Sequence, residues 1–237
     1  MAKEKVVGIL GGMGPKSTAD YFLKIIEATP AKKDQDHLRI IIDSNPKIPD
    51  RTLAILGKGR SFLPELLKTV RNLERAGAEL ITMPCNTAYH YYHELQKSTS
   101  VPIINMISET IEYTRRNFPK AKKIGLLATT GTIKAGIYHE AVKGTGLEII
   151  VPDEVAQKRV MNAIYGARGI KAEYTRGKPR EILFSSAQAL ITQGAEVIVI
   201  GCTEISLVLN QGDLPVPLID PLQILARVVV EKARGYS

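Results

Sequence analysis

Met83-Pro84-Cys85-Asn86-Thr87 and Ile200-Gly201-Cys202-Thr203-Glu204 hold the only two cysteines of this chain in the same local setting. An apolar run precedes each one, Leu80 to Met83 and Val197 to Ile200, with the length of a buried strand. Small polar residues that suit a helix start follow each one. Both thiols are therefore expected at strand-to-helix turns. In an open parallel α/β sheet, ligands bind beyond the carboxyl ends of the strands, where such turns lie. A single free cysteine is usually a small buried hydrophobe. Two in matching positions read instead as the reacting groups of one active site.

The match extends outward. Gly77-Ala78-Glu79 precedes Cys85 as Gly194-Ala195-Glu196 precedes Cys202, at an offset of 117 residues. The same offset sets Gly8 opposite Gly125 and Gly14 opposite Gly131, and Val101-Pro102-Ile103-Ile104-Asn105 answers to Val216-Pro217-Leu218-Ile219-Asp220 at an offset of 115. Three anchors in one order indicate an internal duplication, with residues 1–104 as one half and 105–215 as the other. Strands are predicted at 6–10, 38–42, 80–83 and 101–105, and again at 123–128, 147–151, 197–200 and 216–219. Helices are predicted between them, including 62–76, 88–97, 135–142, 180–193, 205–209 and 222–233. Strands alternating with helices on one period mean parallel, doubly wound sheets.

Composition narrows the function classes. At 237 residues, 44% hydrophobic and 24% charged, the chain has the makeup of a globular protein with a proper core. Its apolar runs fall far short of the roughly 20 residues that span a bilayer, so no membrane partner is expected. The N-terminus enters a strand without an apolar leader, and two cysteines without a C-x-x-C fit a reducing compartment, so a cytoplasmic protein is expected. The formal charge of +8 is spread over helix faces, dense only at Lys120, Lys122 and Lys123 and from Lys171 to Arg180. No aromatic-interleaved basic stripe accompanies it, so no nucleic-acid partner is expected, and a small anionic substrate fits better.

Gly11-Gly12-Met13-Gly14, with Pro15 at the first helical position, forms a turn whose backbone N–H groups suit an anion, either a phosphate or a carboxylate. It is not a Walker loop. Arg51 follows a loop stiffened by Pro46 and Pro49, which suits a bidentate grip on a carboxylate and equally a structural pair with Asp50 or Asp43. His90 and His93 share a helix face but lack the further ligands of a zinc site, so no metal is expected. A thiol at a helix N-terminus has its pKa lowered from about 8.5 toward neutrality. One cysteine as thiolate base and the other as thiol acid, on opposite sides of a substrate carbon, would invert a stereocentre.

Gly8 to Pro15 (G-I-L-G-G-M-G-P), Pro84 to Ala88 (P-C-N-T-A), Gly201 to Glu204 (G-C-T-E), Ile48 to Thr52 (I-P-D-R-T), Leu126 to Thr132 (L-L-A-T-T-G-T) and Val216 to Pro221 (V-P-L-I-D-P) together resemble the cofactor-independent aspartate/glutamate racemases over the whole chain. The resemblance implies two similar α/β domains with parallel four-stranded sheets, related by a pseudo-two-fold axis, with the active site in the cleft between them. It implies that the last strand and helix return to the first half, so that 1–104 plus 216–237 form one domain and 105–215 the other. By it Cys85 and Cys202 are the acid/base pair, no cofactor or metal is used, and the protein is a homodimer. It also implies that Met13, Asn86, Thr87, Thr130 and Thr203 hold the α-amino and α-carboxylate groups of a dicarboxylic amino acid, aspartate first. Arg51 and Lys171 would grip the side-chain carboxylate, with Lys178 as rival to Lys171. Tyr89 stands where the family commonly has histidine, and His90 comes next. Alternatives are a glutamate or broad-range amino-acid racemase, another isomerase or a decarboxylase of the same fold, and a non-catalytic protein that binds a small anion.

Overall fold

A computed structural model describes residues 4–235. The chain divides into two compact units, the first running to Glu109 and resuming at Leu222, the second covering Thr110–Pro221. In the first unit, β1 (Val7–Gly11), β2 (Ile40–Ser44) and β3 (Leu80–Thr82) form a parallel sheet in the order β2-β1-β3. Around it lie α1 (Pro15–Ala28), α2 (Arg51–Ile55), α3 (Leu63–Arg75), α4 (Tyr92–Lys97) and the start of α5 (Met106–Asn117). In the second, β4 (Lys123–Ala128), β5 (Glu148–Ile150), β6 (Val197–Gly201) and β7 (Leu218–Ile219) form a parallel sheet in the order β5-β4-β6-β7. Its helices are α6 (Thr130–Lys134), α7 (Ile137–Ala141), α8 (Glu154–Tyr165) and α9 (Lys178–Thr192). α10 (Pro221–Arg234) then returns to the first unit, where the Lys5 N–H donates to the Ala233 carbonyl at 2.9 Å.

The duplication is visible in the strand register. Val7 pairs with Leu80 as Ile124 pairs with Val197, and Gly8 pairs with Ile81 as Gly125 pairs with Ile198. The covering helices follow it, since α3 buries Leu66, Thr69, Val70 and Leu73 while α9 buries Leu183, Ser186, Ala187 and Leu190. Both sets have the three- and four-residue spacing of one helix face. The repeated Gly-Ala-Glu has three distinct jobs. Gly77 and Gly194 take the left-handed conformation (φ +91° and +99°) just past the ends of α3 and α9, where a side chain would be strained. Ala78 and Ala195 lie against the bare Gly8 and Gly125. The Glu79 and Glu196 carboxylates accept the N–H of Val6 and of Lys123, at 2.9 and 3.0 Å, at the starts of the central strands.

Two expectations need correcting. The first sheet has three strands rather than four. Residues 101–105 contribute a single parallel bridge, Ile81 to Ile103, with the Ile81 N–H on the Pro102 carbonyl at 2.8 Å. The second unit has a two-residue β7 at the equivalent place, so the repeat survives there only as a bridge on one side and a very short strand on the other. Because β7 pairs with β6, residues 216–221 belong to the second unit, and the return to the first begins at Leu222.

A Cβ added at Gly8 would stand 2.9 Å from the Ala78 Cβ and 3.4 Å from Leu73, and one added at Gly125 would stand 3.0 Å from Ala195 and 3.2 Å from Leu190. Both contacts are with Cβ atoms that cannot swing aside. Gly8→Ala and Gly125→Ala are each expected to cost about 1–3 kcal/mol of stability as overpacked substitutions, measured by urea unfolding. A variant as stable as the parent would show that this helix–strand contact is not tight.

Candidate active site

In the first unit the candidate residues follow the carboxyl ends of the strands. Met13 lies in the turn after β1, Arg51 opens α2 beyond β2, and Cys85, Asn86 and Thr87 come after β3. Met13, Cys85, Asn86 and Thr87 are all buried. In the β1–α1 turn, Gly12 donates its N–H to the Thr18 hydroxyl at 2.9 Å, and that hydroxyl donates to the Gly14 carbonyl at 3.0 Å. Of the N–H groups expected to face an anion, that of Gly12 is thus committed inside the turn. Arg51 Nη1 donates to the carbonyls of Ile48 (3.2 Å) and Pro49 (3.1 Å), so the stiff loop fixes the guanidinium. Nearby, Asp50 caps α2 at the Leu53 N–H, and Asp43 accepts from Asn72.

Tyr89 is buried and donates to the Ile104 carbonyl at 3.0 Å. Burial pushes its hydroxyl well above the ordinary range, so it stays protonated and serves as an anchor. His90 is exposed and packs on Tyr91, with ring centroids 4.7 Å apart. Among the described residues no group of three or more His, Cys, Asp or Glu side chains is placed to hold a metal ion.

In the second unit, Thr130 lies just past β4, and Cys202 and Thr203 just past β6. Their strands are neighbours, with Ala128 level with Gly201. α8 fixes the Thr130 position. Gln157 Nε2 donates to the Ala128 carbonyl (3.0 Å) and to the Thr130 hydroxyl (3.2 Å), and the Thr130 N–H meets the Met161 sulfur at 3.1 Å. Cys202 is part of this unit's hydrophobic core, 6% exposed. Its Sγ donates to Glu204 Oε2 at 3.1 Å, the Thr203 hydroxyl donates to the same oxygen at 3.3 Å, and Lys171 Nζ holds Oε1 at 2.5 Å. Lys171 also stands 5.3 Å from the centre of the Tyr165 ring. Lys171, rather than Lys178, is the lysine linked to the second cysteine, since Lys178 begins α9 and lines a separate cavity.

The expected helix starts after the cysteines are absent. Asn86–Tyr91 and Ile205–Leu207 are 3₁₀ turns, opened by the Ala88 N–H on the Cys85 carbonyl and the Ile205 N–H on the Cys202 carbonyl. A three-residue 3₁₀ turn carries little dipole, so the pKa lowering expected for a helix-start thiol is overturned at Cys202. There burial, reinforced by the Glu204 carboxylate, pushes the thiol well above its ordinary value, with Lys171 opposing. Cys202 is therefore held as a thiol. Glu204 was not among the residues picked out for the site, although it stands in the quoted G-C-T-E. The signal was the comparison of the repeats, in which Thr87 occupies the place equivalent to Glu204.

Residues 10–229 match the family model for Asp/Glu/hydantoin racemases. The chain belongs to this racemase family. It is 32% identical over 239 residues to the broad specificity amino-acid racemase RacX of Bacillus subtilis, covering 98% of this chain and 100% of that one. Among solved structures it is similar to the aspartate racemase of Picrophilus torridus (28% identity, TM-score 0.86, 97% and 94% of the two chains). It is also similar to an aspartate racemase homologue from Pyrococcus horikoshii (27% identity, TM-score 0.75, 97% and 99%). The two-sheet α/β architecture is thus that of two-domain racemases of the family.

The Glu204 contact is testable by thiol titration. In a Cys85→Ala background, Cys202 should ionise above the ordinary thiol value of about 8.5. Adding Glu204→Gln should bring that titration down, because a charge opposing ionisation is removed while Lys171 remains. For the same reason this thiol's contribution to stability is intact below about pH 8.5 and is lost as pH rises toward the elevated native value. Thiolate absorbance in the ultraviolet reads the titration, and an unmoved midpoint in the double variant would separate Glu204 from the thiol.

Proposed function

We propose that this protein interconverts the L and D forms of an acidic amino acid, aspartate first, without a cofactor, by moving protons between Cys85, the substrate α-carbon and Cys202. The observation that carries this reading is the equivalence of the two cysteines, each buried just beyond the carboxyl end of a register-matched strand in a racemase-family chain. In one direction the Cys85 thiolate takes the α-proton, and the Cys202 thiol gives its proton to the opposite face of the resulting carbanion. The roles exchange in the reverse direction. The protonated state of Cys202 suits it to the acid role in the resting enzyme.

Within this reading Met13, Asn86, Thr87, Thr130 and Thr203 hold the α-amino and α-carboxylate groups, and Arg51 and Lys171 address the distal carboxylate. Lys171 pairs its ammonium with Glu204. The reading also takes the protein as a cytoplasmic homodimer. No helix among the described residues is long and apolar enough to cross a membrane. A second reading, a racemase of broad amino-acid range, is favoured by the similarity to RacX.

Cys85→Ala and Cys202→Ala should each lose racemisation in both directions, by about a hundredfold to ten-thousandfold, as expected for a positioned proton-transfer group. The assay is polarimetry together with deuterium wash-in at the α-position of L-aspartate in heavy water. Near-parental turnover in either variant would sink the two-base mechanism, and no wash-in by the parent would favour a non-catalytic binder of small anions.

Arg51→Ala separates the two substrate readings. A charge-assisted hydrogen bond contributes about 1.5–3 kcal/mol, so kcat/KM for aspartate should fall at least about tenfold while that for alanine changes little. Equal losses for both would assign Arg51 to the loop, and a parent that turns over alanine as readily as aspartate would establish the broad range.

A further inference from the structure

The excursion between α8 and α9 carries more positive charge than the candidate site uses. From Arg168 to Arg180 the chain has five cations and one acid, Glu173. Two of the cations are committed, Lys171 to Glu204 and Arg180 to Asp213 at 2.7 Å. The side chains of the other three, Arg168, Arg176 and Lys178, make no hydrogen bond or ion pair among the described residues, and all three line one cavity of about 560 Å³. That volume lies within the range of small-molecule sites. Its wall is apolar at Ala163 and Ile182, and Tyr174, 49% exposed, adds an aromatic face. Glu173 is not part of the lining.

The segment that presents these groups is tightly built. A Cβ at Gly166 would come within 2.5 Å of the Asn162 carbonyl oxygen, and one at Gly169 within 2.9 Å of the Ala163 oxygen, so the chain leaves α8 through close contacts only glycine permits. Backbone bonds from Ala172 and Tyr174 to the Gly169 carbonyl (3.0 and 3.2 Å) fold the loop back. Glu173 is held in the left-handed conformation at φ +70°, an unfavourable state for a non-glycine residue that tends to persist where a ligand or mechanism makes use of it. Three like charges without partners around one cavity repel one another, and a multiply charged anion relieves that repulsion. Two guanidinium forks and an ammonium match the several oxygens of a phosphate chain.

We propose that the cavity lined by Arg168, Tyr174, Arg176 and Lys178 is a binding site for an organic polyphosphate with the chemistry of a nucleoside diphosphate, its phosphates on the three cations and its ring against Tyr174 and the apolar wall. The site is separate from the cysteines and lies on the loop that carries Lys171, so an occupant would brace the segment that places Lys171 beside Glu204.

The test is thermal unfolding of the intact protein at constant ionic strength with ADP, pyrophosphate or adenosine. ADP and pyrophosphate should raise the Tm saturably, by about 3–5 °C at tenfold their Kd, and adenosine should not. A larger shift with ADP than with pyrophosphate is expected from the ring contact, and equal shifts would overturn the organic ligand in favour of an inorganic polyphosphate. Arg168→Ala/Arg176→Ala should abolish the shift while leaving the unliganded Tm equal to or above that of the parent, because repulsion has been removed. No shift with either anion, an undiminished shift in the double variant, or an adenosine shift equal to that of ADP would overturn the proposal. The readout does not use turnover, so its failure is distinguishable from failure of the racemase reading.

Discussion

The close approach of a helix to a strand position without a side chain is the constraint on which each unit depends. Gly8 and Gly125 let α3 and α9 settle directly on the central strands, against Leu73 with Ala78 and against Leu190 with Ala195. With the helix seated, the left-handed glycine turns the chain, and the following glutamate pins the start of the central strand through its backbone amides. The next strand then has one register open to it, since a slip of one residue would turn its buried side chains to the wrong face. Each cysteine is delivered to the end of that strand by contacts that begin at Leu73 in the first unit and at Leu190 in the second.

What the duplication makes equivalent, local chemistry then makes unequal. Both thiols sit in similar 3₁₀ turns, yet the residue two places on is threonine in the first repeat and glutamate in the second. Glu204 is buried with its carboxylate shared among a thiol, a hydroxyl and an ammonium. A buried carboxylate beside a thiol would be costly without the lysine, and the lysine would favour the thiolate without the carboxylate. Together they hold a protonated thiol in apolar surroundings.

The strands and the two cysteines were legible because burial on both faces of a parallel sheet writes itself as continuous apolar runs, and because the repeat doubled each signal. The fourth strand of the first sheet was misread for the same reason. Val101-Pro102-Ile103-Ile104-Asn105 has the composition of a strand, but Pro102 has no N–H to give, and Gln96 takes the Ile103 N–H at 2.8 Å. One bridge remains. The turns after the cysteines were misread because small polar residues suit α and 3₁₀ starts alike, and only hydrogen-bond length tells them apart. Glu204 escaped because its role depends on Lys171, 33 residues away and brought near by a loop whose path no periodicity encodes.

That loop shows how an irregular segment can be specified as firmly as a strand. Gly166 and Gly169 admit one backbone path, the left-handed Glu173 reverses it, and Gly177 at φ +66° opens α9. Between these points the chain sets out cations facing different surroundings. Lys171 reaches the buried carboxylate next to a thiol, Arg180 meets a surface acid, and Arg168, Arg176 and Lys178 border the cavity. An ion pair exposed to water contributes little, whereas one with a partner as buried as Glu204 is strongly felt when broken. The division of charge along this one loop therefore decides which of its cations bears on the Cys202 thiol through Glu204, and it singles out Lys171.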